Sequence, residues 1–122
     1  MGHRTTDKQR LGAYGETLAA RYLVERGMDL LDHNWSCPEG EIDLVLREGR
    51  TLVFCEVKTR RSARYGSPFE AVTALKIARM RRLGAAWLTA TGTRAPEFRL
   101  DMVGIIAPAH GAPQIEHVRG VG

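Results

Sequence analysis

The chain has 122 residues, of which 43% are hydrophobic and 26% are charged. This length and balance predict one folded domain over residues 1–122 and exclude a chain that is disordered throughout. The sequence shows no apolar run of membrane length and no signal-peptide pattern, so we expect a cytoplasmic protein without a membrane partner. The 18 Lys and Arg outnumber the 14 Asp and Glu, for a formal net charge of +4.

The charges are unevenly distributed along the chain. Residues 1–56 carry ten acidic side chains, whereas residues 57–96 carry nine basic ones and a single acid, Glu70. A basic segment after an acidic one fits a polyanion that lies across a metal site, although an arginine-rich solvated helix face would give the same count. Cys37 and Cys55 lack the spacing of a zinc site.

The first predicted element is a helix that follows a loose tail at about residues 1–6. Thr5 or Thr6 is suited to cap this helix, which ends near Arg26. Apolar residues recur at helical spacing and predict the buried stripe Leu11, Tyr14, Leu18 and Tyr22. Glu16 lies on the flank of this stripe, where its carboxylate would either reach toward a sheet or stay exposed, as most glutamates do.

Three strands are predicted after this helix. Residues 28–35 form the first, and the alternating apolar residues of 40–61 form a hairpin of two more. Gly49–Arg50 is suited to a two-residue type II′ loop, since Gly49 would tolerate the positive φ that this turn requires. That loop places Glu48 opposite Thr51 and thereby fixes the register of the hairpin.

The same register places two carboxylates opposite each other, because Asp43 faces Glu56 with Cβ atoms roughly 5 Å apart. Facing carboxylates repel unless a cation lies between them, and a hard divalent ion such as Mg²⁺ takes oxygen ligands. Lys58, on the same face as Glu56, would orient a metal-bound water or hold a phosphate oxygen. These parts indicate metal-dependent phosphodiester hydrolysis. The alternative is a solvated strand face on which Glu41 and Lys58 form an ordinary ion pair.

The segment after the hairpin is polar and basic. Residues 60–66 form a loop suited to contact a nucleic-acid backbone, and Tyr65 would stack on an unpaired base or pack within the loop. Ser67–Glu70 is typical of a helix start, either as a single turn or as the beginning of a helix that reaches Thr91. The predicted apolar side of that helix is Leu75, Ala78, Leu83, Ala86 and Trp87.

The last predicted elements are strands. Glu97–Ile105 forms a strand in which Asp101 and Arg99 share a face and are expected to form a structural ion pair. Gln114–Arg119 is suited to a short edge strand before a loose tail at 120–122. The predicted order of helix, strand, strand, strand, helix and strand is an αβββαβ core.

The ordered set of motifs resembles a known family. Gly15–Glu16 in the first helix, followed by GEIDLV and LVFCEVKTR, is similar to the YraN-like family of small, largely uncharacterised bacterial proteins. An Asp followed after 12 residues by Glu-Val-Lys resembles the PD-(D/E)xK nucleases, and the whole pattern is similar to archaeal Holliday-junction resolvases. The likeness spans about residues 11–103, with Ile42 in place of the proline often found before the acid.

The resemblance implies a restriction-endonuclease-like α/β fold, with a mixed sheet flanked by helices, and a Mg²⁺- or Mn²⁺-dependent endonuclease. Its substrate would be DNA, including branched or flapped structures, and a homodimer is expected because resolvases act on two strands. Asp43, Glu56 and Glu16 would be catalytic and, with the Val57 carbonyl, would ligate the metal, while Lys58 would complete the catalytic set. The residues expected to bind nucleic acid are Arg60, Arg61, Arg64, Lys76 and Arg79. Two alternatives stay open: a nucleic-acid-binding module without catalysis, and a protein whose charged face docks a protein partner.

Overall fold

The computed structural model describes residues 5–64, 66–70 and 72–122. Its strands are Asp29–Cys37 (β1), Gly40–Glu48 (β2), Thr51–Arg60 (β3), Glu97–Ile106 (β4) and Gln114–Val118 (β5), and its helices are Asp7–Glu25 (α1) and Ala74–Thr91 (α2). This order confirms the αβββαβ core predicted from the sequence and the short edge strand after it. Most of the predicted N-terminal tail lies outside the described residues, and so does Tyr65.

The strands form one mixed sheet in the order β1-β2-β3-β4-β5. β1, β2 and β3 are antiparallel neighbours, and β5 is antiparallel to β4. β3 and β4 are parallel, so the chain must return to the starting end of the sheet between them, and α2 forms that crossover. A mixed α/β fold with helices flanking an open sheet is therefore present, as the sequence predicts.

The hairpin between β2 and β3 has the predicted register. Glu48 pairs with Thr51, and Gly49 has a φ of 60°, which confirms the turn that its glycine predicts. The paired residues run from this turn to Leu44 and Cys55. The Asp43–Glu56 position is the next step, so it lies just past the last pair of the ladder.

Two apolar clusters cover the two faces of the sheet. The cluster beneath α1 includes Leu44, and the cluster beneath α2 includes Ile42 and Val45. Side chains two residues apart on a regular strand share a face, yet Ile42 and Leu44 pack on opposite sides. The alternation of β2 is therefore interrupted at Asp43, which allows this residue to be approached from both sides of the sheet.

The first helix begins as predicted, with Thr6 in a capping box with Gln9, but one position of its predicted buried stripe is wrong. Tyr14 is 48% exposed, and the helix instead buries Gly15, Ala19 and Leu23 against the sheet. Small residues allow the helix axis to approach the strands closely, which a stripe of large side chains would prevent.

The second helix begins later than the earliest predicted start. Thr73 caps it, and Ser67–Glu70 forms a separate turn, in which the Ser67 hydroxyl accepts a hydrogen bond from the Phe69 amide. Gly92, in the left-handed conformation, ends the helix where the sequence predicts. The prediction that Leu75 is buried is wrong, since it is 83% exposed, and Ala78 is exposed as well. No described helix has the length and hydropathy needed to cross a membrane.

Asp101 anchors the C-terminal residues. Its fully buried carboxylate accepts two hydrogen bonds from Arg99, which confirms the predicted pair, and it also contacts His117 at 2.7 Å. The Gly120 amide donates to the same carboxylate, so the chain at 120 is attached to β4, unlike the loose tail expected there. Burial opposes ionisation of Asp101, but these hydrogen bonds outweigh it and hold its pKa below the ordinary value.

Gly15 sets the distance between α1 and β3. A Cβ atom at Gly15 would lie 1.7 Å from the Thr59 hydroxyl oxygen, whereas a Cβ at Gly12 would meet nothing within 4 Å. We therefore expect Gly15→Ala to lower the free energy of unfolding by about 1–3 kcal/mol, because the helix must shift. Gly12→Ala is the control and should raise the free energy of unfolding by about 1 kcal/mol, because alanine favours the helix more than glycine does. Urea denaturation of both variants measures the difference, and equal effects would contradict this account of the packing.

Candidate functional site

Three carboxylates meet at the interruption in β2. Glu16 from α1 and Glu41 and Asp43 from β2 each place one carboxylate oxygen within 4.8 Å of the other two. Glu41 and Asp43 lie two residues apart on the strand, and the close approach of α1 places Glu16 beside them. Such a group of oxygens has the chemistry of a site for a hard divalent cation.

Asp43 is the most perturbed of these carboxylates. Burial raises the pKa of Asp43, and the neighbouring charges of Glu16, Glu56 and Glu41 raise it further, to about 7. A 2.8 Å hydrogen bond donated by the Val57 amide opposes this change. Removal from water and like charges both disfavour the ionised carboxylate, and a bound cation would reverse both effects. The hydrogen bond to Val57 holds the carboxylate at the point where β2 and β3 stop pairing.

Glu16 is positioned by its neighbours in β1. Burial raises the pKa of Glu16, a hydrogen bond with the Asn34 side chain opposes this change, and the Glu41 charge adds to it. Asn34 has a φ of 49°, the only positive value at a non-glycine residue in the described chain, and it falls between the strand pairs His33–Leu44 and Trp35–Ile42. A rare backbone conformation therefore lies beside the carboxylate cluster, at a residue whose side chain lowers the pKa of Glu16.

Glu56 faces the other side of the sheet, toward α2. Its Oε1 lies 3.0 Å from the Lys76 ammonium, and its buried Oε2 has no hydrogen-bond partner in the described structure. A buried carboxylate oxygen without a partner is uncommon, because its desolvation goes uncompensated. The Glu56 charge also contributes to the raised pKa of Asp43, after burial and the Glu16 charge.

Lys58 lies two residues beyond Glu56 on β3 and is partly buried. Within the described ranges it forms no ion pair, and the surface pair between Glu41 and Lys58 that the sequence allows is not formed there. The described structure shows no contact between its ammonium and the carboxylates, so a role for Lys58 beside them stays a prediction. The Val57 amide is committed to Asp43, and ligation by the Val57 carbonyl stays a prediction.

The carboxylates of Asp43 on β2 and Glu56 on β3 both line a cavity of about 380 Å³ between β2, β3 and α2. Asp43 and Glu56 contribute its acidic side, and Lys76 and Arg79 its basic side. The structure thus places these four predicted residues around one opening. The other lining residues are Glu41, Ile42, Phe54, Cys55, Thr73, Leu75, Met80 and Leu83.

The arginines at the end of β3 and in the loop after it lie outside the cavity lining. The Arg60 carbonyl accepts a hydrogen bond from the Ala107 amide, and its Nε is buried without a hydrogen-bond partner in the described part of the chain. Arg61 donates to the Ala107 carbonyl at 3.3 Å, which ties the start of the loop to the end of β4. Arg64 is exposed. Their role in nucleic-acid binding stays a prediction.

Two residues were not assigned to the carboxylate site from the sequence. Glu41 was read as one half of a surface ion pair, although its position two residues before Asp43 on one strand was a usable signal. A place for Asn34 beside Glu16 was not predicted, because it depends on a backbone conformation that only the folded sheet imposes.

Glu41 gives a direct test of the carboxylate cluster. We expect Glu41→Gln to weaken Mn²⁺ binding at least ~10-fold, because the affinity of oxygen sites depends on the number of charged ligands. Glu39→Gln removes an exposed acid from the preceding turn, outside the cluster, and should leave the affinity unchanged. Isothermal titration with Mn²⁺ measures both variants, and equal affinities would show that Glu41 is not a ligand.

The fold and the site define a small mixed α/β protein with an acidic cluster at the open end of a strand pair. The matching family model covers residues 15–105, and its description is "Uncharacterised protein family UPF0102". The chain belongs to this family. The matched range contains the carboxylates Glu16, Glu41, Asp43 and Glu56 together with Lys58, so the candidate site lies within the part that defines the family.

Relatives in other bacteria match nearly the whole chain. A UPF0102 protein of Nocardioides sp. is 59% identical over 94% of this chain and 93% of its own length. UPF0102 proteins of Beutenbergia cavernae and of an Arthrobacter species are 52% and 50% identical, each over 94% of this chain and 98% of the relative. This chain is therefore similar to these relatives in length as well as in sequence.

Proposed function

We propose that this protein is a Mg²⁺- or Mn²⁺-dependent endonuclease of the PD-(D/E)xK type that hydrolyses phosphodiester bonds in DNA in the cytoplasm. The observation that carries the proposal is the convergence of carboxylate oxygens from Glu16, Glu41 and Asp43 within 4.8 Å. Phosphodiester hydrolysis by such enzymes needs a metal held by carboxylates and a cation beside it, and Lys58, two residues beyond Glu56 on β3, is the residue proposed for that second role.

The residues present fit a hard divalent ion. The available donors are carboxylate oxygens, which suit Mg²⁺ and Mn²⁺ and not softer metals. The unpartnered buried Oε2 of Glu56 supplies a further oxygen on the α2 side of Asp43. Without a cation, several neighbouring carboxylates repel one another, and the raised pKa of Asp43 reflects this cost as well as burial.

Each residue then has a defined task. Asp43 would hold the ion together with Glu16 and Glu41. Glu56 and the Val57 carbonyl would complete the set of ligands from β3. When bound, the ion would acidify a ligated water and stabilise negative charge on the phosphate. Lys58 would hold the attacking water in position and place a positive charge beside the phosphate oxygens as charge accumulates there.

The basic residues around the site support a nucleic-acid substrate. Lys76 and Arg79 line the cavity, and Arg61 and Arg64 lie on the loop that leaves β3. Phosphate contacts of this kind position a strand without reading its sequence, so recognition of DNA shape, as in a branched or flapped structure, fits the site better than recognition of sequence. A homodimer would allow cleavage of two strands in one complex.

The proposal is tested with purified protein, Mn²⁺ or Mg²⁺, and a panel of DNA junctions, flaps, single strands and duplexes, with RNA for comparison. We expect cleavage of at least one DNA substrate that stops when EDTA is added and is absent from a Glu56→Gln preparation. If wild type and Glu56→Gln behave identically on every substrate, hydrolysis at this site is ruled out.

A second candidate function is binding of nucleic acid without hydrolysis. The Lys76–Glu56 ion pair favours it, because an ammonium already neutralises part of the carboxylate that would otherwise ligate a metal. This function predicts an affinity for DNA that falls steeply with salt and persists after Glu56→Ala, with no cleavage under any condition.

A further inference from the structure

We infer that the cavity beside the carboxylates takes one unpaired nucleotide of a nucleic-acid strand, so that the substrates are strands with a nucleotide outside the base stack. This inference rests on the proposed function and adds the class of substrate to it. It would explain why the cavity combines acidic, basic and apolar walls within about 380 Å³, a volume in the range of small-ligand sites.

The walls of the cavity are arranged by chemistry. Its acidic wall is formed by Asp43 and Glu56 at the end of the β2–β3 ladder. Its deeper wall is apolar, where Phe54, Met80 and Leu83 are almost fully buried. A phosphate would therefore lie near the metal ligands, and an uncharged planar group would lie against the apolar wall.

The basic wall comes from the second helix. Lys76 lies 3.0 Å from Glu56, and its side chain remains 27% exposed. Arg79 extends across to β2, since its guanidinium is so close to Gly40 that a Cβ there would lie 2.6 Å from Nη2. Two cations at the edge of an acidic cavity suit the phosphates on either side of a bound nucleotide, which carry the charge that these side chains need.

Leu75 is the feature that the fold alone does not explain. It lies in the first turn of α2, lines the cavity, and is 83% exposed, the most exposed large hydrophobic residue in the described chain. An exposed leucine at the rim of a cavity gains burial only when a ligand covers it. A base entering the cavity would cover Leu75, because every base has an apolar face.

A base within a regular duplex cannot reach such a cavity. Its two faces are covered by neighbouring base pairs, and extruding it costs several kcal/mol, which is smallest for unpaired or mismatched positions. Single strands, flaps and the open centres of junctions already provide a free base. The cavity therefore selects strands by whether a base is free and not by its sequence.

The test uses single-stranded, flapped and fully duplex DNA that carry one 2-aminopurine, with Ca²⁺ in place of Mg²⁺ so that binding is read without cleavage. We expect a protein-dependent fluorescence change at the unpaired position and little change in the duplex. Leu75→Ala should weaken the DNA affinity measured by this fluorescence change about 10-fold, because the base loses its contact with the leucine side chain. Val24→Ala, which alters an exposed apolar residue on α1, should leave it unchanged.

The results distinguish the inferred nucleotide pocket from the proposed hydrolysis. A Leu75-dependent signal without cleavage of any substrate would support the nucleotide pocket and overturn the proposed hydrolysis. Equal cleavage of duplex and flap, unaffected by Leu75→Ala, would support hydrolysis and overturn the pocket. A free deoxynucleoside monophosphate is added as competitor, and if it displaces the strand at equal concentration, the ligand is a mononucleotide and the inference of a strand is wrong.

Discussion

Replacing Lys58 by alanine is expected to lower the rate of DNA cleavage by about 10²–10⁴-fold while leaving Mn²⁺ affinity unchanged. The ammonium is not a metal ligand, and it has no ion-pair partner among the described residues, so its removal takes away a charge beside the phosphate and little else. The size of the effect is that of a positioned group acting on a proton or charge in the transition state. Single-turnover cleavage and calorimetric Mn²⁺ titration measure the two quantities separately.

Two other cations serve as comparisons for Lys58: Lys76 on α2, which lines the cavity, and Arg21 on α1, which is the control. Lys76→Ala should weaken substrate binding and alter the Glu56 carboxylate, so it is expected to change the substrate affinity and the metal affinity together. Arg21→Ala, at an exposed position on α1, should change neither. A Lys58→Ala variant that cleaves as fast as the wild type would show that hydrolysis, if present, uses another group.

Replacing Asp43 by asparagine is expected to stabilise the metal-free protein at pH 8 by at most about 4 kcal/mol. Burial and the neighbouring carboxylates raise the pKa of Asp43 from its ordinary value of 3.8 to about 7, and each unit corresponds to about 1.4 kcal/mol. Asparagine removes the charge and retains an oxygen that accepts the Val57 amide hydrogen bond. Urea denaturation in EDTA measures the change.

The stabilisation by Asp43→Asn is expected to depend on pH, in a direction set by the raised pKa of Asp43. Because the pKa of Asp43 is higher in the folded state, the folded protein binds the proton more tightly, and stability falls as pH rises from about 4 to about 7. The difference between Asp43→Asn and wild type should therefore be near zero at pH 4 and largest above pH 7. Asp29→Asn, at an exposed position on β1, is measured in parallel as the control substitution.

Added Mn²⁺ should reverse the order of stability at pH 8. An ion bound to the folded state alone stabilises it according to its concentration and affinity, so the wild type gains and Asp43→Asn gains less. A wild type whose stability is unchanged by millimolar Mn²⁺ would contradict a metal site at Asp43.

The order of elements was readable from the sequence because local signals agreed with one another. Alternating apolar residues, a glycine in the hairpin turn and a capping threonine each predicted a boundary that the structure confirms. The register of the hairpin followed from Gly49 and Arg50 alone, since a two-residue loop fixes every pair beyond it. The same register predicted that Asp43 on β2 and Glu56 on β3 are neighbours.

The buried faces of the helices were less predictable. Helical spacing suggested that Tyr14 and Leu75 are buried, and both are exposed. Close packing of α1 on the sheet favours small residues such as Gly15, and the first turn of α2 leaves Leu75 exposed at the cavity, so hydrophobicity alone gave the wrong answer at these two positions. Periodicity identifies an apolar side but not how closely that side approaches its neighbour.

By itself the sequence determined an αβββαβ chain with Asp43, Glu56 and Lys58 on adjacent strands, because turn chemistry and strand alternation act over a few residues. Only the tertiary structure decided that Glu41 joins Glu16 and Asp43, that Asn34 lies beside Glu16, and that Lys76 lies against Glu56. These contacts join residues distant in the chain across a helix–sheet interface and a break in strand alternation. Neither feature has a period that a sequence pattern can reveal.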